Sequence, residues 1–94
     1  MKFKVVCFDH IFAVEGELME FNHHGCLIQD SALAKDIPAF SRRRLLHLKI
    51  ESTNSETTEQ SVPEALLLGF FRKNNRWFYQ ISWKEIPQIL SKAS

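Results

Sequence analysis

The chain carries almost no net charge. Twelve Lys and Arg residues face eleven Asp and Glu, for a formal +1. There is thus no global field to steer nucleic acid or an anionic membrane surface, and neither is expected as a partner. No apolar run approaches the roughly 18 residues that a membrane helix needs. The basic start, Met1–Asp9, leads into an apolar run too short for a signal peptide, so a cytoplasmic protein without membrane insertion is expected. Cysteine is scarce too. Cys7 and Cys26 are the two present, and in a non-secreted chain they are expected as free thiols. There is no internal repeat and no complete catalytic motif. Neither a serine triad nor an oriented thiolate–base pair is evident, and no enzyme is expected.

What the chain has in quantity is apolar surface. Apolar residues make up 45% of the 94 and eight are Phe, far from a disordered composition. The length fits one domain, residues 1–94, with a small but sufficient core. Period-2 alternation is the dominant pattern. In Lys2–Phe8, Phe3, Val5 and Cys7 share one face. Ile11–Phe21 reads as a long strand with Phe12, Val14, Gly16 and Leu18 on one face and Phe21 on the other. Gly16 in its middle suggests a bulge or sharp bend. Asn22-His23-His24-Gly25 is a tight turn, and Cys26–Gln29 returns.

Asp30–Arg43 lacks regular periodicity. Pro38 stops any helical turn in Ser31–Asp36, so the segment is expected to cross an end of the sheet as a loop. Leu45–Glu51 alternates cleanly, with Leu46, Leu48 and Ile50 inward. Residues 52–61 are polar and read as a solvated, mobile loop. After Pro63, Glu64–Arg72 is apolar enough to suggest a strand buried on both faces. Lys73-Asn74-Asn75-Arg76 is a hairpin turn, because Asn tolerates positive φ. Trp77–Trp83 returns with Trp77, Tyr79, Ile81 and Trp83 on one face. A short helix, about 84–92, comes last, with Pro87 in its first turn and Ile86, Ile89 and Leu90 turned to the sheet. Six mostly hairpin-connected strands predict an all-β protein. The expected architecture is a small six-stranded antiparallel barrel with a short C-terminal helix, closed because its apolar edges could not safely be exposed.

Three constellations bear on chemistry. Cys7-x-x-His10 and His23-x-x-Cys26 offer the donor types of a tetrahedral zinc site. Both cysteines fall inside strands beside apolar residues, so they read as core thiols, with histidines at turns; no metal or cofactor is expected. Arg42, Arg43 and Arg44 form the one dense basic cluster and could clamp phosphate with planar guanidinium forks. Trp77 lies in the aromatic hairpin Arg76-Trp77-Phe78-Tyr79, a possible contact surface.

The stretch Gly16-x-Leu18-x-Glu20-x-Asn22-x-x-Gly25-Cys26-Leu27-Ile28 resembles the second and third strands of PilZ-type domains. That family carries a D/N-x-S-x-x-G motif there; Glu20, Asn22 and Gly25 occupy its positions, and only the glycine is identical. Leu45–Ile50 resembles the family's middle strand, and Glu64–Arg72 with Arg76–Trp83 its closing hairpin. The resemblance implies a PilZ-like, split-barrel fold. The family's R-x-x-x-R segment, which binds cyclic di-GMP, has no counterpart, since no arginine precedes Arg42. The resemblance therefore implies a degenerate member. It would be a regulatory module acting through another protein in bacterial signalling, motility or surface assembly, with weak or no cyclic di-GMP binding. Candidate contact residues are Asn22, His23, His24, Gly25, Arg42, Arg43, Arg44 and Trp77. The alternatives are a cyclic di-GMP receptor with a rearranged arginine site and a zinc-bound or thiol-dependent protein.

Overall fold

A computed structural model describes residues 3–52 and 59–91. Six antiparallel strands, β1 (Phe3–Phe8), β2 (Ala13–Phe21), β3 (Gly25–Asp30), β4 (Leu45–Ser52), β5 (Glu59–Lys73) and β6 (Arg76–Ser82), close in the order β1-β2-β3-β6-β5-β4. A four-residue helix, α1 (Gln88–Ser91), comes after them. Every strand has two neighbours, so the sheet closes on itself.

Alternation fills the interior. In β1, Phe3, Val5 and Cys7 are buried, and in β4 Leu46, Leu48 and Ile50 are buried, as their period-2 patterns require. Ile28, Ala65, Leu67, Tyr79 and Ile81 complete the walls, while Trp83 and Leu90 close the core beyond the end of β6. The β5–β6 hairpin turns on Asn74 and Asn75, both with positive φ (52° and 61°), matching the twist of the strands it joins.

Bulges decide where alternation fails. The expected bulge at Gly16 lies instead at Met19, the extra residue between the pairs Leu18↔Ile28 and Glu20↔Leu27. It resets the phase, so Phe21 turns toward the core and packs edge-on against Phe3, 6.4 Å between centroids. Gly16 is needed for another reason. A Cβ there would lie 2.5 Å from the Gln29 carbonyl oxygen.

β2 starts two residues later than expected. The Asp9 carboxylate accepts hydrogen bonds from the Ile11 and Phe12 amides (2.7 Å each), which turns the chain at that corner. Phe12, read as sharing a strand face with Val14, lies outside the strand and is 55% exposed, whereas Val14 is buried.

β5 runs through Pro63. One extra residue lies between Ala65 and Val62 opposite β4, a bulge that tolerates a residue with no N–H. Residues 59–61 belong to this strand rather than to a loop, and 53–58 lie outside the described residues. β5 is not buried on both faces. The outside of a small barrel is solvent, and Leu68, the residue at a second bulge, is 56% exposed. Phe71 stacks on Phe78 outside the barrel, 5.0 Å apart, and so hides Phe78 from water.

The helix is shorter than expected: the Pro87 carbonyl accepts from the Leu90 and Ser91 amides, and Lys92 lies outside the described residues. Gln60 Oε1 accepts from the Ile89 amide (2.8 Å), fixing the helix to β5.

Candidate binding groove at the barrel mouth

Between β3 and β4 the chain crosses one end of the barrel as an irregular strap, residues 31–44. Long-range hydrogen bonds hold it there. The Ala34 amide donates to the Asn75 carbonyl (2.8 Å), and the Ala39 amide to the Tyr79 hydroxyl oxygen (3.2 Å). The Trp77 indole N–H donates to the Lys35 carbonyl (2.9 Å), and the Arg76 guanidinium to the Ser31 carbonyl. Phe40 drops from the strap into the barrel and meets Tyr79 edge-on at 6.0 Å. Burial pushes the Tyr79 hydroxyl above the usual phenol range.

The strap does not seal the mouth. A groove of about 1020 Å³ remains between it, the β1–β2 corner and the start of β6. Phe12, Val14, Phe40, Phe70, Trp77 and Tyr79 form its apolar surface, with Glu15, Asp30 and Lys35 as the ionisable residues along it. Three of its lining residues stand out into solvent: Phe12 at the β1–β2 corner, and Leu33 (64% exposed) and Ile37 (77%) on the strap.

Two of the sequence-predicted residues meet here. The Arg42 guanidinium lies 5.3 Å from the centroid of Phe70, and Phe70 meets Trp77 edge-on at 5.7 Å. Trp77 is half-buried in the groove wall. Phe12, Leu33 and Ile37 were not singled out by the sequence. Leu33 and Ile37 are apolar residues in a stretch without regular periodicity, and Phe12 was absorbed into the reading of the second strand.

The three arginines part company. Arg44 Nε pairs with Asp9 Oδ2 at 2.8 Å. The Asp9 side chain is only 5% exposed, and the Phe12 and Ile11 amides, aided by Arg44, hold its carboxyl below the usual range. Arg43 takes a positive φ of 65°. There its amide donates to the Leu67 carbonyl (2.7 Å), while the Leu67 amide donates to the Arg44 carbonyl (2.9 Å). One arginine thus faces a ring, one an acid, and the third is at a backbone bridge. This is not the convergent geometry of a phosphate clamp.

Asn22, His23, His24 and Gly25 sit elsewhere. Asn22 Oδ1 accepts from the His24 amide (2.7 Å) and the Gly25 amide (3.1 Å), an Asx turn. Trp83 fastens the turn to the end of β6: its amide donates to the His24 carbonyl (3.0 Å) and its indole N–H to the Asn22 carbonyl (3.2 Å). A shallow cleft of about 420 Å³ lies beside it, lined by His24, Cys26, Leu27 and Leu68 among others. Asp30 is five residue steps from Gly25 along β3, so about 17 Å lies between turn and groove. The register Leu45↔Leu66↔Ser82↔Gly25 puts three strand spacings, about 14 Å, between the turn and the end of the arginine segment.

Among the described residues, no group of three or more His, Cys, Asp and Glu side chains could hold a metal ion. Cys7 is fully buried on β1, while His10 and His23 are exposed at turns. Both cysteines are free thiols, and desolvation raises both, Cys26 to about 12 and Cys7 further. No helix among the described residues is long and apolar enough to cross a membrane. No family model, curated protein or solved structure matches the chain.

Proposed function

We propose that this chain is a non-enzymatic regulatory binding module that engages another protein through the mouth groove. The observation that carries this is the set of exposed apolar side chains, Phe12, Leu33 and Ile37, that line the groove together with the rings of Phe40, Phe70, Trp77 and Tyr79. A small domain seldom leaves such a surface uncovered without a use for it. The resemblance to a degenerate PilZ domain supports a place in bacterial signalling, motility or surface assembly. It also supports weak or no cyclic di-GMP binding. The dispersal of Arg42, Arg43 and Arg44 and their distance from the Asn22–Gly25 turn favour the same conclusion, because guanine and phosphate recognition needs arginines converging on that turn.

The test is affinity capture from the native host with wild type, Ile37→Asp and His23→Ala. A reproducible partner lost with Ile37→Asp and retained with His23→Ala is the expected result. A partner lost only with His23→Ala would move the contact surface to the turn. Titration calorimetry is expected to show no heat with cyclic di-GMP at high micromolar concentration. Stoichiometric heat would favour the rearranged arginine site.

A further inference from the structure

We infer that residues 68–73 of β5 form a docking edge that takes an extended, acidic segment of another protein as an added strand. The edge lies beside the mouth groove and uses none of its exposed residues Phe12, Leu33 and Ile37, so the inference goes beyond the groove reading and is tested without it.

Its first support is the strand register. On one side the outer half of β5 is paired with β6, from Gly69↔Gln80 to Lys73↔Arg76. On the other side the pairing with β4 ends at Leu45↔Leu66, and Arg43 and Arg44 add one last backbone bridge to Leu67. Beyond Leu67 no described residue is hydrogen-bonded to that side of the β5 backbone. The Asn74-Asn75 turn decides which groups are left over. In a two-residue hairpin the flanking pair, here Lys73↔Arg76, exchanges both hydrogen bonds, and alternate pairs repeat this, so Phe71↔Phe78 is the next. The N–H and C=O groups of Phe70 and Arg72 therefore point away from β6, to the side that β4 does not reach. Two donors and two acceptors at the two-residue repeat of a strand, about 7 Å, are what an added strand matches.

Charge is the second support, and it selects the segment. Among the described residues, six Lys and Arg side chains lie in no ion pair: Lys35, Arg42, Arg43, Arg72, Lys73 and Arg76. All six belong to the strap or to the outer part of the β5–β6 hairpin, whereas Lys4, Arg44, Lys49 and Lys84 each pair with a carboxylate. Asp30 and Asp36 are the strap's own acids, and Glu15 is already bridged to Lys4. Four of the six flank the free stretch. Arg72 and Lys73 are in it, Arg43 carries the bridge to Leu67, and the Arg42 guanidinium lies over the Phe70 ring. Positive charge at a free edge keeps like edges apart, which disfavours a second copy as the added strand, and it complements an acidic one. A phosphate chain needs converging cations, but Arg72 and Lys73, as successive strand residues, point to opposite faces.

The faces define the pattern of the segment. Phe71 stacks on Phe78 outside the barrel, while Phe70 lies on the groove side with Arg42 over it and Arg72 two residues on. An added strand meets a ring on one face and guanidinium groups on the other, so alternating apolar and acidic residues fit.

The probe is a capped nine-residue peptide of alternating glutamate and valine, titrated into the whole chain at low salt and followed by fluorescence anisotropy. In the free chain the Phe70 and Arg72 amides are expected to exchange with deuterium about tenfold faster than those of Phe71 and Lys73, and to become protected when the peptide binds. N-methylation of every peptide residue, which keeps the charge and removes the N–H donors, is expected to weaken binding about tenfold. The Arg72→Glu/Lys73→Glu double variant is expected to bind about tenfold more weakly, and Arg72→Ala, the milder second variant, about threefold. Both positions are exposed, so the urea midpoints are expected to match wild type. Ile37→Asp is expected to bind as wild type does.

Equal protection of the Phe70, Phe71 and Arg72 amides in the free chain would overturn the inference, because the edge would already be occupied. So would equal binding of the N-methylated peptide, equal binding of a lysine–valine peptide, or no binding up to about 1 mM. Tighter binding of oligothymidylate than of the peptide would assign the cations to nucleic acid. A wild-type dimer in ultracentrifugation that Arg72→Glu dissociates would assign the edge to a second copy. Either result also overturns the inference. If host capture depends on Ile37 while the peptide fails to bind, the groove reading stands and the edge falls; if the peptide binds as expected while host capture is indifferent to Ile37, the edge stands and the groove reading falls.

Discussion

Alanine at Gly25 would place a methyl carbon 2.0 Å from the Ile81 carbonyl oxygen and 3.0 Å from its carbon. Those atoms belong to the β6 backbone, so no side chain can swing aside. To restore an ordinary contact, β3 and β6 must part by well over an ångström where Gly25 faces Ser82. Forced repacking of this kind costs about 1–3 kcal/mol. The separation also pulls on the bond from the Trp83 amide to the His24 carbonyl, and a lost hydrogen bond adds about 1 kcal/mol. Gly25→Ala is therefore expected to lose about 2–4 kcal/mol in urea unfolding followed by Trp fluorescence. At about 4–8 °C per kcal/mol for a domain of this size, Tm falls by about 8–32 °C. Gly69→Ala is the internal control, since its added Cβ meets only Gln80 Oε1 at 3.5 Å. Alanine there is expected to be neutral or to add about 0.5 kcal/mol, because glycine in a strand costs conformational entropy. If Gly25→Ala falls within about 0.5 kcal/mol of wild type, or if both variants shift alike, the close approach of β3 to β6 is wrong.

Named contacts set three further outcomes. The Asp9 carboxyl is held below its unfolded value of 3.8, so its contribution to stability is present above that pH and is lost as pH falls through the folded value. The stability gap between wild type and Asp9→Asn, measured by urea titration, should thus be largest near neutrality and close below pH 3.8; a gap constant with pH would refute the pairing. Both thiols should resist Ellman's reagent at pH 7.5 in the native state and react as two thiols in guanidinium, whereas fast native labelling of Cys7 would contradict its burial. Phe40→Ala should cost about 3 kcal/mol by removing the plug beneath the strap, while Ile37→Ala on the same strap should cost less than about 0.5, and equal losses would show that the strap is not seated as described.

The sequence made much of the barrel legible, and the exceptions have a common cause. β1 and β4 show their buried faces because alternation runs unbroken from Phe3 to Phe8 and from Leu45 to Glu51. β2 and β5 mislead because a single extra residue, Met19 or Leu68, reverses the inside–outside phase of the residues after it without changing composition. The apolar run Leu66–Phe71 looked fully buried because residue type alone cannot separate core from the outside of a barrel, where Phe71 and Phe78 cover one another. The candidate site was least legible. The Asn22–Gly25 turn stood out as a local motif, and its internal bonds are local. The groove is assembled from the β1–β2 corner, the strap and the β5–β6 hairpin, and bonds such as Trp77 to Lys35 span some forty residues. Such contacts leave no periodic trace. Trp77 was picked out for its aromatic neighbours, and Arg42 as part of a basic cluster; the shared contact with Phe70 that joins them depends on the fold.

The most direct test of the groove is site-specific photo-crosslinking in the native host. p-Benzoylphenylalanine placed at Ile37 reports on the mouth, and at His23 on the distant turn. Engagement of a partner through the groove predicts a discrete covalent adduct with one other protein from position 37 and none from position 23, with the position-37 adduct lost when Phe12→Asp is added. An adduct confined to position 23, or a position-37 adduct that survives Phe12→Asp, would contradict it.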